Sequence, residues 1–285
     1  MGKVILFVNL HKEKSLTAAE QITDELKKQG IETVVFSFDG KPETPPLGEW
    51  DAAISLGGDG TVLYTARSLA PLNVPILPIN LGSLGFIAGK LENWLDVFTK
   101  WKKGELTPSR RCMLEVSVER GKKLPSQTIM KNICLNDIVI SASGMAKLIN
   151  LDVFRADTAL GSYRCDGLII STPTGSTAYS MAAGGPIIDP EMEAILLTPI
   201  CPFSLSNRPF VLPSQQQLEI IVAKEQRTDI LLTIDGQDTF ELKCEDKIII
   251  HQAPHHALLL FPNRNTYYSA LRSKLFWSNT GGSNA

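Results

Sequence analysis

The chain has 285 residues, 44% apolar and 20% charged, with a formal net charge of -2. A length of this order suits two domains with real cores, and the mixed charge lacks the basic block of a nucleic-acid binder. No apolar run approaches the roughly 20 residues of a membrane span, and the polar residues right after "KVILFVNL" do not fit a secretory signal. The five cysteines (Cys112, Cys134, Cys165, Cys201, Cys244) lie far apart and are odd in number. That pattern argues against a disulfide framework or a cysteine-type zinc site and for a reducing, cytoplasmic setting.

The first third alternates strand and helix. "KVILFVNL" predicts a strand buried on both faces, and "SLTAAEQITDELKKQG" a helix capped at Ser15 or Thr17 and stopped at Gly30, with Ala18, Ile22 and Leu26 at helical spacing. "IETVVFSF" is the next strand and "KPETPPLGEW" a proline-rich loop. "DAAISL" leads into "GGDGT", "TVLYTARSLAPL" reads as a helix, and "VPILPINLGSLGF" as a strand with a second glycine turn. This alternation predicts an α/β domain with a parallel, doubly wound sheet over residues 1–105.

Past Pro108 the pattern changes. "MLEVSVER", "ICLNDIVIS", "LINLDVF", "LEIIVA", "ILLTIDG" and "KIIIHQA" alternate or run apolar between polar turns, predicting a β-rich, mostly antiparallel domain over 106–265. "DGLIISTPTGSTAYSMAAGGPII" interrupts it, with a hydroxyl-rich middle that turns helical from about Thr177. "NTYYSALRSKLFW" predicts a last helix with Tyr268, Leu271 and Leu275 on one face, and "SNTGGSNA" a tail.

Three stretches carry candidate chemistry. In "GGDGT", a strand ending in glycines before a helix start lets backbone N–H groups approach an anion, though a plain tight turn has the same layout. It lacks the Lys-Ser/Thr of a Walker loop and the third glycine of the dinucleotide fingerprint. Asp59 at its centre is open to several readings: a helix N-cap, a ligand of a divalent cation, an acceptor for sugar hydroxyls, or the acceptor of a hydroxyl proton. "TPTGSTAYS" offers many neutral donors and acceptors in a small volume, suited to a nucleoside or to a solvated turn. "LNDIVI" places Asn136 and Asp137 in an apolar strand, where they mark a bulge, a strand end or a ligand-facing pair. His251, His255 and His256 in "HQAPHHA" have no metal-ligand spacing and read as surface or turn residues.

Together these stretches resemble the NAD kinase family. "GGDGT" is its first motif, shared with diacylglycerol and sphingosine kinases, and "NLGSLGF" and "LNDIVI" match its next two. "YRCDGLIISTPTGSTAYSMAAGGPI" (Tyr163–Ile187) is the most specific stretch, and "LTPICPFSLSNRPFVLP", "TIDGQ" and "LRSKLFW" extend the likeness across nearly the whole chain. The resemblance implies transfer of the ATP γ-phosphoryl group to the 2′-hydroxyl of the adenosine ribose of NAD, giving NADP. It also implies NAD held in a cleft between the two domains, Mg²⁺ or another divalent cation with ATP, no metal ligands assigned in the protein, and a homodimer or homotetramer. A last helix (266–277) is expected to return to the first domain. Neither nucleic acid nor membrane is implied as a partner.

Residue by residue, the resemblance casts Asp59 as proton acceptor and contact to NAD. Gly57, Gly58, Gly60 and Thr61 become the cradle for the ATP phosphates, with Gly60 also beside NAD. Phe86 becomes an apolar wall, and Asn136 and Asp137 hold the adenosine ribose. Arg164 and Asp166 flank the cofactor. Thr177, Ala178, Tyr179, Ser180, Met181 and Ala182 line the adenine side, and Lys147 and Gln237 are further NAD contacts. The chain departs from the family in three places: Asp137 where Glu is commoner, Ala182 where Ser is common, and Tyr64 where many relatives carry a basic residue. A lipid kinase shares only "GGDGT", and the retained Asp59 and Asn136 argue against a non-catalytic NAD(P) sensor.

Overall fold

The computed structural model describes residues 2–39, 43–82, 85–87, 89–90, 93–121, 127–144, 147–261 and 265–275. Parts of the proline-rich loop and the second glycine turn, the tail and Trp277 lie outside this set. The chain forms two compact units, residues 1–110 with 257–285 and residues 111–256.

The first unit begins with β1 (Lys3–Asn9), α1 (Ser15–Lys28), β2 (Glu32–Phe38), β3 (Ala52–Gly57), α2 (Asp59–Leu69) and β4 (Ile76–Asn80). Then come β5 (Gly89–Lys90), α3 (Trp94–Lys102) and β6 (Ser109–Arg111). The second unit holds β7 (Leu114–Arg120), β8 (Gln127–Cys134), β9 (Asp137–Ala142), β10 (Ile149–Arg155), β11 (Thr158–Cys165), β12 (Gly167–Ser171) and the one-turn α4 (Tyr179–Ala182). It continues with β13 (Ala194–Ile200), β14 (Phe210–Pro213), β15 (Leu218–Val222), β16 (Ile230–Ile234), β17 (Asp238–Leu242) and β18 (Lys247–Gln252). The chain then re-enters the first unit with β19 (Ala257–Leu259) and α5 (Asn265–Lys274).

The first sheet runs β2-β1-β3-β4-β19-β6, with β5 beside β4. Its pairs β1–β2, β1–β3, β3–β4, β4–β5 and β4–β19 are parallel. Alternate residues of β1 serve opposite faces, as strand geometry requires. Val4, Leu6 and Val8 pack with Ala19, Ile22 and Leu26 of α1 and Val97 and Phe98 of α3. Phe7 meets Tyr64 of α2 in an edge-on ring contact, with centroids 5.8 Å apart. Helices therefore cover both faces, and the sheet is doubly wound. The seams between units fall after Arg110 and before Ala257, whereas the sequence pattern places them after residue 105 and residue 265. The difference has a cause: β6 and β19 are short strands of the first sheet, too short to carry a periodic signal.

The second unit is two six-stranded sheets, β11-β10-β15-β18-β7-β8 and β14-β13-β12-β9-β16-β17. Their inner faces share one core, in which Val116, Leu151 and Ile250 of the first sheet meet Ile140, Ile170 and Leu232 of the second. "LEVSVER" alternates buried and half-buried along β7, as its period of two predicts. β12 is buried along its whole length.

Three local expectations are corrected. Ser15 is the first residue of α1, not its cap; Lys14 holds the cap position and no side chain caps the helix. The stretch from Thr177 is helical only from Tyr179, because Thr174–Thr177 forms a 3₁₀ turn first. On α5 the buried residues include Ala270 and Leu271, while Tyr268 is turned outward.

Candidate functional site

In the first unit, β3 ends at Gly57 and α2 begins at Asp59, with Gly58 as an extended cap residue. Gly57 is required by packing: a Cβ there would collide with the side chain of Thr61. Thr61 is buried beneath the loop, and its Oγ1 accepts from Asn9 Nδ2 at 3.3 Å. The Thr61 hydroxyl is thus engaged inside the unit. The part of the loop that faces outward is Gly58 and Asp59, both half-buried, and Gly60, which is exposed. A helix N-terminus at this point favours an anion.

Asp59 occupies the first turn of α2 but does not cap it. Its Oδ2 accepts the backbone N–H of Phe86 at 3.1 Å, and its Oδ1 is buried with no partner. A buried carboxylate oxygen left unpaired is costly. Gly85 is necessary beside it, since a Cβ there would overlap the Asp59 carboxylate. The Phe86 ring lies under the Lys274 ammonium of α5, 4.3 Å from its centroid. Lys12, which sequence reading did not single out, brings its Nζ to 3.8 Å from where a Cβ on Gly82 would stand. Tyr64 explains its own departure from the family pattern: it is buried among Phe7, Phe36 and Phe38, and its hydroxyl donates to the Glu43 carbonyl.

In the second unit, β8 stops at Cys134 and β9 starts at Asp137, so Asn136 lies in the corner between the strands and Asp137 opens β9. The hydroxyl-rich turn closes on this corner. Thr172 N–H donates to the Asn136 carbonyl at 2.8 Å, and Thr172 Oγ1 to the Leu135 carbonyl at 2.5 Å. Gly175 packs so tightly on the Asn136 backbone that a Cβ would overlap its carbonyl. "NDIVI" and "TPTGST", far apart in sequence, thus form one rigid corner. Asn136 is 8% exposed, and its Oδ1 is buried without a partner, as is Thr174 Oγ1.

One residue that sequence reading passed over organises this corner. Asp235 accepts the backbone N–H of Leu135 on Oδ2 (3.0 Å) and those of Asn136 (2.7 Å) and Asp137 (3.2 Å) on Oδ1. It stands in the three-residue turn between β16 and β17, where Asp235 (φ 50) and Gly236 (φ 65) are both left-handed. The Asp-Gly pair between apolar runs was a legible hairpin signal; the reach of its carboxylate was not. Burial, and the Asp235 charge beside it, push the Asp137 carboxyl up to about 7.

The remaining candidates fall in different surroundings. Thr177 is buried, and its hydroxyl donates to the Thr174 carbonyl at 3.3 Å. Ser180 is fully buried and bonded to Thr198 at 2.8 Å, so its hydroxyl is engaged within the fold. Ala178 and Met181 are half-buried, and Tyr179 and Ala182 are exposed around them. Arg164 is exposed, with its guanidinium stacked 4.7 Å over the Phe203 ring, and Asp166 is half-buried two residues on. Lys147 is exposed, and Gln237 is half-buried directly after Gly236.

A doubly wound unit with a glycine loop and an acid is thus joined in one chain to a β-rich unit with a hydroxyl-lined corner. Residues 41–93 match the ATP-NAD kinase N-terminal domain and residues 135–260 the ATP-NAD kinase C-terminal domain. The chain is 45% identical to the NAD kinase of Treponema denticola, over 98% of its own length and 97% of that protein. It is 37% identical to the NAD kinase of Geobacter sulfurreducens, over 97% and 99%. Its fold is similar to that of a yeast NADH kinase complexed with NADH (TM-score 0.86, 24% identity, 100% and 90% of the two chains covered). It is also similar to an NAD kinase from Archaeoglobus fulgidus in complex with ATP (TM-score 0.73, 26% identity, 96% and 99% covered). The chain belongs to the NAD kinase family.

Proposed function

We propose that this chain transfers the γ-phosphoryl group of ATP to the 2′-hydroxyl of the adenosine ribose of NAD, giving NADP and ADP. The observation that carries this reading is Asp59. One carboxylate oxygen is tied to the Phe86 N–H, while the other is buried and unpaired at a glycine loop that opens a helix. In the reaction the ribose 2′-oxygen forms a bond to the γ-phosphorus, the bond to the bridging oxygen of ADP breaks, and the hydroxyl proton goes to Asp59. Phosphoryl transfer has a loose transition state, so catalysis is mostly positioning and charge neutralisation. A carboxylate is a weak base at neutral pH, and orienting the hydroxyl matters as much as removing its proton.

The first unit supplies the phosphate end, through Gly57, Gly58, Gly60 and the N-terminus of α2, with Phe86 as an apolar wall. The second supplies recognition of the nucleoside. The unpaired Oδ1 of Asn136 and the buried carboxyl of Asp137 suit ribose hydroxyls, and the turn at Thr177–Ala182 suits the adenine. Arg164, Asp166, Lys147 and Gln237 complete the reading as outer contacts to the dinucleotide. Thr61 and Ser180 act by holding their loops, given the bonds their hydroxyls already make.

No three His, Cys, Asp or Glu side chains among the described residues group as a metal site. A divalent cation is read as arriving on the ATP phosphates, where it would supply charge neutralisation. All five cysteines are free thiols, which suits a reducing cytoplasm. Among the described residues no helix is long and apolar enough to cross a membrane. Phe203, Leu205, Phe210 and Val211 are exposed on the second unit and support a homo-oligomer. The test of the activity is the purified protein with NAD, ATP and Mg²⁺: NADP and ADP forming in equal amounts is expected, and no NADP under these conditions overturns the reading.

A further inference from the structure

The turn at Asp235 and Gly236 does not require a carboxylate. The turn needs left-handed conformers at these two positions, and Asn-Gly or Gly-Gly would serve as well. Yet Asp235 is an acid, only 7% exposed, placed beside a second buried acid, Asp137. Burying two neighbouring carboxyl groups opposes folding unless their oxygens are satisfied. Both Asp235 oxygens are: they take three consecutive backbone N–H groups at 2.7–3.2 Å, and the Asp235 N–H returns a bond to the Asp137 carbonyl at 2.9 Å. The other side of the corner is held too. The Asn136 carbonyl accepts from Thr172 N–H at 2.8 Å and from Ser171 Oγ at 3.2 Å. With its N–H and carbonyl both engaged, the Asn136 backbone has one orientation. What is left over is its side-chain oxygen, buried and unpaired.

We propose that Asp235 is a positioning residue for nucleoside recognition: by gathering the N–H groups of Leu135, Asn136 and Asp137 on one carboxylate, it sets the direction in which Asn136 and Asp137 present their side chains to the ribose. This rests on the NAD kinase reading above. Asp235 acts through the corner and does not itself touch the substrate. Its substitution therefore disturbs the acceptor nucleotide and leaves the donor alone.

The experiment is steady-state kinetics of the full-length protein and its D235N and D235A variants, with NAD and ATP varied separately and thermal melts run alongside. Asn suits the left-handed turn and keeps one acceptor oxygen; Ala removes both. A misplacement of about 1 Å at a reacting group costs about 10²-fold, so D235N should lose about that factor in kcat/KM for NAD, with KM for NAD raised about tenfold and KM for ATP unchanged. D235A should lose more. A purely structural role would lower Tm and the active fraction while leaving both KM values at the parent's. That result for D235N overturns the inference even if D235A fails to fold. A parent protein that makes no NADP overturns the underlying reading instead, so the two failures are distinct.

Discussion

The Asp59 carboxylate accepts the Phe86 N–H at 3.1 Å, and this bond settles what the acid in the glycine loop is doing locally. It is not a helix cap, because the cap position belongs to Gly58 and no side chain fills it. The carboxylate is instead turned across to the second glycine turn and held by one oxygen, with the other buried and without a partner.

Gly85 should be intolerant of any side chain. A Cβ would overlap the Asp59 carboxylate and break its geometry. G85A is expected to reduce kcat by about 10²-fold, the cost of displacing a reacting group by about an ångström, while the far-UV circular dichroism stays that of the parent. A G85A protein with parental turnover would mean that the position of Asp59 is unimportant.

Gly175 should be equally restrictive for a different reason. Its Cβ would meet the backbone carbonyl of Asn136, and backbone yields less readily than a side-chain tip. Overpacking of this kind costs about 1–3 kcal/mol. G175A should therefore melt at lower temperature and bind NAD more weakly, with ATP binding retained; isothermal titration with each nucleotide separates the two effects.

The Asp137 carboxyl gives a pH dependence with a definite sign. It is pushed up to about 7 by burial and then by Asp235, from an ordinary value of 3.8. The folded chain holds this proton more tightly than the unfolded chain, so the associated stability is complete below the unfolded value and is lost as pH rises towards the folded one. Asn at this position cannot ionise. The Tm of D137N relative to the parent should rise between about pH 4 and about pH 8 and level off above. A Tm difference that stays constant over that range would contradict the buried, proton-retaining state of Asp137.

Much of this was legible in the amino-acid order, and the rest was not, for physical reasons. "KVILFVNL" and "LEVSVER" announce a strand buried on both faces and one buried on a single face, because pleat geometry writes itself as a period. "GGDGT" announces a strand-to-helix loop, and at Gly57 the physical reason is packing, since a Cβ there would collide with Thr61. What no local pattern could carry is distance. Asp235 lies about a hundred residues from the corner it holds, with |i−j| of 98 to 100 for its three bonds, and only the pairing of β16 with β9 brings it there. The bonds of Ser180 to Thr198 and of Thr61 to Asn9, 18 and 52 residues apart, escaped for the same reason. A hydroxyl in a motif reads as a ligand contact until the fold provides a nearer partner. The short strands β6 and β19 escaped because three residues cannot display a period.

The central claim is that Asp59 orients and deprotonates the hydroxyl that attacks ATP, and D59N tests it most directly. Asn is isosteric and its carbonyl oxygen can still accept the Phe86 N–H, so the loop should keep its shape. With purified D59N, NAD, ATP and Mg²⁺, NAD affinity is expected within a few fold of the parent, while NADP turnover falls by about 10²- to 10⁴-fold. Turnover near that of the parent, with NAD binding intact, would remove Asp59 from the chemistry and contradict the account.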